Sequence, residues 1–187
     1  MRIFSAAALL ASALLMLAVG AQAQPFEPTD VSQPLRGGHE NPPVVSEGFG
    51  RFFANVIETA DGVQEIQYQL RYDVADGASD VQQAHIHIAN PGNNGGIVAF
   101  LCSNLGNIQG LSAGPCPPSP GVVDGQIVAA DVLAVTEGTG PDAVTIIEAG
   151  DIDGLAKLML DGATYANVHT VDHPAGEVRG QINPRRR

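Results

Sequence analysis

The sequence predicts an all-β fold, an antiparallel β-sandwich or barrel with one short helix. Several short segments alternate apolar and polar residues with a period of two, which indicates strands with one buried and one outer face. Glycine (22 of 187 residues) and proline (13) fall between these segments, where they mark turns. One segment has helical spacing instead, and the chain contains no tryptophan, so aliphatic side chains must build the core.

The clearest strand signal lies at 64–74, where apolar and polar residues alternate throughout. Turn signals flank it at Asp61-Gly62 and Asp76-Gly77. The first of these turns is predicted to join it to a strand at 49–58 as a hairpin. Further strands are predicted at 81–88, 97–102, 121–129, 164–170 and 177–183.

One helix is predicted at 151–160, where apolar residues recur at helical spacing. Asp151 can cap its first turn, and Gly162 can end it. No repeat of fixed period and no second domain is indicated by the rest of the chain.

The N-terminus predicts export. Met1 and Arg2 precede an apolar run that ends at Ala21-Gln22-Ala23, which is typical of a signal peptide cleaved after Ala23. A membrane anchor is the alternative, although the run is barely long enough to span a bilayer. The predicted organisation is a signal peptide at 1–23, a linker at 24–33, one folded domain at 34–183 and a basic tail at 184–187. We expect a mature protein that is periplasmic or secreted and does not span a membrane.

The charge balance argues against a nucleic-acid partner. The formal net charge is −11, with 20 acidic residues against nine Lys and Arg, so phosphates would be repelled. The two cysteines, Cys102 and Cys116, are predicted to form a disulfide, because an exported chain with an even number of cysteines favours one. Two free thiols are the alternative.

Three ordered motifs resemble the chordin (CHRD) domain. They are Leu-Arg-Gly-Gly-His-Glu-Asn-Pro-Pro-Val at 35–44, Ala-His-Ile-His-Ile with a glycine-rich turn at 84–98, and Tyr-Ala-Asn-Val-His-Thr followed by Pro-Ala-Gly-Glu-Val-Arg-Gly-Gln-Ile at 165–182. Asn41 departs from the valine that is usual in the family, a change that we expect to matter little at a loop edge. The resemblance implies a β-sandwich, either immunoglobulin-like or a Greek key similar to Cu/Zn superoxide dismutase. It also implies an exported bacterial protein with a single domain, of a type whose activity is unsettled.

Three histidines form a candidate metal site. His85 and His87 alternate on one predicted strand, so both face the same way, with Cα atoms about 6.6 Å apart. His169 lies on another predicted strand and shares its face with Tyr165 and Asn167. The opposite faces are apolar, which predicts that the histidines point outward at the surface. If the two strands pair, three imidazoles converge, and such a set suits copper or zinc better than calcium or magnesium. The alternative is that they are structural or surface histidines.

Four further residues are weaker candidates. His39 and His173 lie in predicted loops, and His173 becomes a fourth ligand if its loop folds over the site. Glu177 and Arg179 alternate on a predicted strand. One interpretation is that the Glu177 carboxylate orients an imidazole. The interpretation we favour is structural: the two residues form an ion pair or cross-strand hydrogen bonds.

Three function classes follow from these residues. The preferred one is an exported binding or structural module that holds a copper or zinc ion. The second is a metalloenzyme with redox chemistry similar to that of superoxide dismutase. The third is a module for protein interaction at the cell surface or in the matrix, with an unknown protein partner. Motifs for a serine nucleophile, a phosphate loop or a redox Cys-x-x-Cys pair are absent from the sequence, so enzyme activity has no direct support.

The signal-peptide hypothesis predicts a mature N-terminus at or near Gln24. N-terminal mass spectrometry of the exported protein measures it. Intact 1–23 sequence on protein from a membrane fraction would show instead that the segment is an anchor.

Overall fold

The computed structural model describes residues 31–74 and 80–183. The predicted signal peptide, most of the predicted linker, the Asp76-Gly77 turn and the basic tail lie outside the described residues. The described part contains the strands β1 (Val31–Arg36), β2 (Phe49–Thr59), β3 (Gly62–Asp73), β4 (Val81–Ile88), β5 (Ile97–Ser103), β6 (Gly121–Ile127), β7 (Val135–Glu137) and β8 (Val144–Ile147), the helix α1 (Ile152–Leu160), and the strands β9 (Thr164–Thr170) and β10 (Val178–Ile182).

Eight of these strands form one antiparallel sheet that curls into a nearly closed barrel. Their order is β5-β4-β9-β10-β1-β2-β3-β6, and β7 pairs with β8 as a separate hairpin. The edge strands β5 and β6 contact each other. Across the barrel, the Tyr68 hydroxyl donates to the Leu101 carbonyl at 2.7 Å. The predicted all-β fold with one short helix is confirmed, and it takes the barrel form.

Period-two alternation builds the barrel interior. The inner faces carry apolar side chains with no exposed surface, among them Leu35, Phe52, Leu70, Ile86 and Ile182. Burial of each such side chain contributes about 1.5–3 kcal/mol relative to leaving it in water. The predicted hairpin is present, because β2 pairs with β3 up to Thr59 and Gly62.

The helix α1 lies where the sequence predicts it and packs against β3 and β9. Asp151 caps it by accepting a hydrogen bond from the Gly154 amide at 2.8 Å. Gly162 follows its end with a φ of 78°, a left-handed conformation that glycine adopts without strain. Leu155 and Met159 are fully buried, so the helix contributes directly to the core.

Two parts of the strand arrangement differ from the sequence prediction. The strand β1 begins at Val31, inside the segment predicted as a linker. Its signal is weak because Pro34 interrupts it, and proline cannot donate a hydrogen bond to a neighbouring strand. The hairpin of β7 and β8 was not predicted, since its strands are short and Val144 and Ile146 are exposed.

The predicted disulfide is confirmed: Cys102, at the end of β5, is bonded to Cys116. Both cysteines are buried, at 0% and 6% exposure. The Asn104 side chain fastens the same loop, because it donates to the Cys116 carbonyl at 3.0 Å and accepts from the Cys116 amide at 3.1 Å. Within the described residues, no helix is long and apolar enough to cross a membrane.

Reduction of the Cys102–Cys116 disulfide is expected to lower the free energy of unfolding by about 3 kcal/mol, because a closed loop of about 15 residues restricts the unfolded chain by that amount. Urea unfolding with and without reductant measures the difference, and alkylation with intact mass confirms the state of the thiols. An unchanged unfolding midpoint after complete reduction would contradict the expectation.

Candidate metal centre

The pairing of β4 with β9 brings three histidines together. In this register His85 lies opposite Asn167, and His169 lies opposite Gln83. The inward residues of the same strands are apolar and buried in the barrel, so all three imidazoles project from its outer face. Ligand nitrogens of His85, His87 and His169 all lie within 4.8 Å of one another. The two strands therefore pair, and the three imidazoles converge as expected.

The prediction that these histidines lie at the surface is wrong. Their side chains are 1% (His85), 8% (His87) and 7% (His169) exposed. They point away from the barrel interior, as alternation requires, but they do not reach solvent. The physical reason is that segments outside the sheet fold over this face, which strand periodicity does not register.

Three loops lie on this face, 37–48, 89–96 and 171–177, and the second and third contact His87 and His169 through the Gly95 and Pro174 carbonyls. The first two are joined through Asn41, whose side chain donates to the Gly92 carbonyl at 2.8 Å. In return, the Asn94 side chain donates to the Asn41 carbonyl at 2.8 Å. Asn41 therefore has a definite role here, in contrast to the expectation that it matters little.

The third loop packs closely on the first. Gly176 has a φ of 122°, and a Cβ at this position would lie 2.6 Å from Glu40 Oε1. Only glycine therefore allows this contact without displacing the carboxyl group. Glu177 adds a link, since its two oxygens accept hydrogen bonds from Ser46 Oγ and Thr170 Oγ1, each at 2.7 Å.

Backbone carbonyls orient two of the three imidazoles. His87 Nδ1 lies 2.9 Å from the Gly95 carbonyl, and His169 Nδ1 lies 3.0 Å from the Pro174 carbonyl. A carbonyl oxygen only accepts, so each Nδ1 carries the hydrogen and each Nε2 carries a free lone pair. Both Nε2 atoms are buried without a hydrogen-bond partner, as are both ring nitrogens of His85.

Aromatic rings surround the cluster. The His85 ring lies 4.9 Å from His169 and 5.4 Å from His87, and Phe100 packs edge-on against it at 4.7 Å. Tyr165 stacks on His87 at 4.7 Å with the two rings parallel to within 1°. These contacts hold the imidazoles in place and separate them from solvent.

A buried arginine supports the far side of Tyr165. The Arg179 guanidinium lies 3.3 Å from the centre of the Tyr165 ring, within the range of a strong cation–π contact. It donates to the Asn93 carbonyl at 2.6 Å and to Asn94 Oδ1 at 3.0 Å. Arg179 therefore fastens the loop that contains Gly95, which in turn orients His87.

Burial sets the protonation of the cluster. It lowers the pKa of His85 to about 2, with the neighbouring His169 and His87 adding to the shift. Burial also lowers the pKa of His87 to about 4, although the hydrogen bond to Gly95 opposes it. The pKa of His169 is lowered for the same reason, and its bond to Pro174 opposes the change. All three rings are therefore neutral at pH 7, as metal coordination requires.

Glu40 lies at the edge of the site and carries the opposite shift. Burial raises its pKa to about 7, while the charge of Arg179 and a hydrogen bond with Asn167 act against the rise. Asn167 lies opposite His85 on the paired strand, and its Oδ1 is buried without a hydrogen-bond partner. Gln83, the other polar neighbour on this strand pair, instead accepts from Asn107.

The weaker candidates lie outside the cluster. His39 is exposed, and neither it nor His173 belongs to the group of converging ligands. Glu177 has the structural role favoured from the sequence, but its partners are Ser46 and Thr170 rather than Arg179. Backbone carbonyls, and not a carboxylate, orient His87 and His169.

The comparison with known families agrees with the barrel and its motifs. The family model described as CHRD domain matches residues 31–182. The chain belongs to the CHRD-domain family. The match begins at the first residue of β1 and ends at the last residue of β10, so the CHRD domain and the eight-stranded barrel coincide. Searches of curated proteins and of solved structures returned no match.

Two important residues of the site were missed by sequence reasoning. Glu40 lies in the opening CHRD motif, where the sequence indicates only an ordinary polar loop residue. Arg179 was considered only as a partner of Glu177, and its stacking on Tyr165 was not foreseen. The available signals were a glutamate two residues before a pair of prolines and an arginine on a strand whose other residues carry no charge.

The lowered histidine pKa values predict that the metal-free domain loses stability as the pH falls. The unfolded chain binds protons on these rings below about pH 6.5 while the folded chain does not, so unfolding is favoured there. His87 alone contributes a loss on the order of 3 kcal/mol by pH 4. Urea unfolding in chelator across pH 7 to 4.5 measures the trend, and constant or rising stability would contradict it.

Glu40 provides an internal control of opposite sign. Its raised pKa means that it stabilises the fold fully below about pH 4.5, and that this contribution disappears as the pH rises through about 7. Glu40→Gln should therefore steepen the loss between pH 7 and 4.5 and raise stability relative to the parent at pH 8. An identical pH profile for parent and variant would contradict this sign.

Proposed function

We propose that this CHRD domain is an exported module that holds one copper or zinc ion through His85, His87 and His169. The observation that carries the proposal is the set of four buried imidazole nitrogens without partners, confined to three converging rings. An unpaired buried polar atom costs roughly 1–3 kcal/mol. Coordination of a metal would satisfy one lone pair on each ring at once.

The tautomers support the same proposal. His87 and His169 each direct a free Nε2 lone pair into the cluster, while a backbone carbonyl holds the opposite nitrogen. Such fixation is the usual arrangement of metal-binding histidines. The carbonyl bonds satisfy the N–H of each ring, and the Nε2 lone pairs are the part of each ring that a metal would satisfy.

The donor set favours copper or zinc. Three neutral imidazoles are borderline-soft nitrogen ligands, whereas calcium and magnesium take oxygen ligands. The carboxyl group of Glu40 lies beyond the histidine cluster, so the set of converging ligands within the described residues contains nitrogen alone. With three ligands, the ion would retain a position for a water molecule or another small ligand.

Burial of the ligands argues for holding the ion rather than turning over a substrate. His85 is 1% exposed and packed against Phe100, and the loops close over the other two rings. The alternative of a metalloenzyme with redox chemistry similar to that of superoxide dismutase requires access for a substrate. Superoxide turnover by the metal-loaded protein separates these two functions.

Export belongs to the same proposal. The Cys102–Cys116 disulfide fits an oxidising compartment, and the apolar N-terminal run fits a secretory leader. The periplasm or the cell exterior is the expected location.

Replacement of His85 by leucine tests the site most cleanly, because leucine retains an apolar volume against Phe100. His85→Leu should weaken Cu(II) and Zn(II) binding at least tenfold, about 1.4 kcal/mol, measured by titration calorimetry. The apo variant should unfold at the same or higher urea concentration, because it removes two unpaired buried nitrogens.

His173→Ala is the matched control, since it removes an imidazole near the site but outside the cluster, and it should leave metal affinity unchanged. Parent-like affinity in a variant that lacks both His85 and His169 would contradict the proposal.

A further inference from the structure

A second feature lies on the outer face of a different part of the barrel. A groove of about 690 Å³ runs across β1, β2, β3 and β6, separated from the histidine strands by β10. This volume is within the range of known ligand sites, about 300–1,000 Å³. Its apolar surface includes Pro34, Phe49, Phe53 and Val122. Phe49 and Val122 are exposed by 53% and 52%, which is costly for large apolar side chains that share one patch.

The groove also concentrates positive charge on an acidic protein. Within the described residues the basic side chains are Arg36, Arg51, Arg71, Lys157 and Arg179. Three of these five, Arg36, Arg51 and Arg71, line the groove, together with a single acidic residue, Asp73. The chain as a whole has a formal net charge of −11, so this face has the opposite sign to the rest.

Two of the arginines face each other directly. Arg51 on β2 and Arg71 on β3 are register partners. Like charges at opposed positions of neighbouring strands destabilise a sheet. Within residues 31–74 and 80–183, neither arginine forms an ion pair; the one ion pair there joins Lys157 and Asp161. An anion bound between the two guanidinium groups would relieve this repulsion.

Their side chains are nevertheless held in place. Both guanidinium groups lie over the ring of Phe53, at 5.9 Å for Arg51 and 5.7 Å for Arg71. Arg71 Nε also donates to Gln69 Oε1 at 2.6 Å, and Gln69 in turn donates to Asp124 at 2.7 Å. This orientation leaves the terminal amino groups of Arg71 available for bidentate recognition of a carboxylate.

We propose that this groove is a docking surface for an extended acidic segment of a partner protein. A first carboxylate of the segment reaches Arg36, a second binds between Arg51 and Arg71, and an apolar side chain beyond it packs on Val122, which lies opposite Arg71. Charge complementarity and the exposed aromatic ring identify the class of partner, because arginine and aromatic residues dominate the energetics of protein interfaces.

The spacing of the arginines fits an extended chain. Arg36 pairs with Phe49, which is two residues from Arg51 on β2, so Arg36 and Arg51 are diagonal neighbours about 7–8 Å apart. Carboxylates two residues apart on an extended segment are separated by about 6.6–6.8 Å. A single small anion would occupy the Arg51–Arg71 pair but leave the apolar part of the groove uncovered.

The test uses the full purified protein and a fluorescent hexapeptide, Glu-Ser-Glu-Ser-Phe-Ser, which places both carboxylates and the ring on one side when extended. Fluorescence anisotropy should show binding that weakens as salt is raised. The double variant Arg51→Gln, Arg71→Gln should weaken the affinity by more than tenfold. Lys157→Gln, which removes a positive charge far from the groove, should change it by less than twofold.

Two further controls distinguish an acidic peptide from an uncharged peptide and from a small anion as the ligand of the groove. A Gln-for-Glu version of the peptide should bind more than tenfold more weakly, and phenylacetate should compete only at far higher concentration than the peptide. Failure of the parent to bind the peptide, equal binding by the double variant and by Lys157→Gln, or phenylacetate affinity equal to that of the peptide would overturn the proposal. Concentration-dependent dimerisation that the double variant abolishes would also overturn it, because the occupant would then be a second copy.

The unliganded double variant supplies an independent readout. If the opposed arginines are maintained for a ligand, their removal should leave thermal stability at or above that of the parent, since it relieves like-charge repulsion. A clear loss of stability would show that the pair serves the fold, which would also overturn the proposal.

Discussion

Three loops close over the outer face of β4 and β9, and this burial determines the chemistry of every polar side chain beneath them. Without the loops, the histidines would be hydrated surface residues with ordinary pKa values. With them, the imidazoles lose water, and their pKa values fall because of burial. His87 and His169 each form a hydrogen bond with a backbone carbonyl, whereas His85 forms none. The same loops place Glu40 at the edge of the site, where burial raises the pKa of its carboxyl group.

The loops themselves depend on a small number of long-range polar contacts. Asn41 joins two of them across 51 residues of sequence, and Arg179 holds Asn93 and Asn94 from a strand more than 80 residues away. Gly95 allows the chain to pass against the Ile88 carbonyl, where any side chain would collide. A buried polar network of this kind gains its value only when all its members are satisfied. Among the described residues, four imidazole nitrogens remain without a partner, as do Glu40 Oε1, Thr164 Oγ1 and Asn167 Oδ1.

Much of the fold could be predicted from the sequence, because alternation is local. The period-two pattern of β3 and the capping residues of α1 are local sequence signals, and the positions that they predict for these two elements agree with the structure. The same alternation, with pairing of the two strands, was enough to bring His85, His87 and His169 together. Burial of the histidines could not be predicted in this way, since it arises from contacts between loops that are distant in sequence. The strand β1 was missed because Pro34 obscures its pattern, although the surrounding sheet supplies its hydrogen bonds.

The proposed site binds one metal ion through Nε2 of His87, Nε2 of His169 and one ring nitrogen of His85. X-ray absorption spectroscopy of the protein loaded with one equivalent of Zn(II) or Cu(II) tests it directly, because imidazole rings give characteristic multiple scattering. The account predicts three imidazole nitrogens at about 2.0 Å, reduced to two in the His85→Leu variant. A shell of oxygen ligands, or a spectrum that this substitution leaves unchanged, would contradict it.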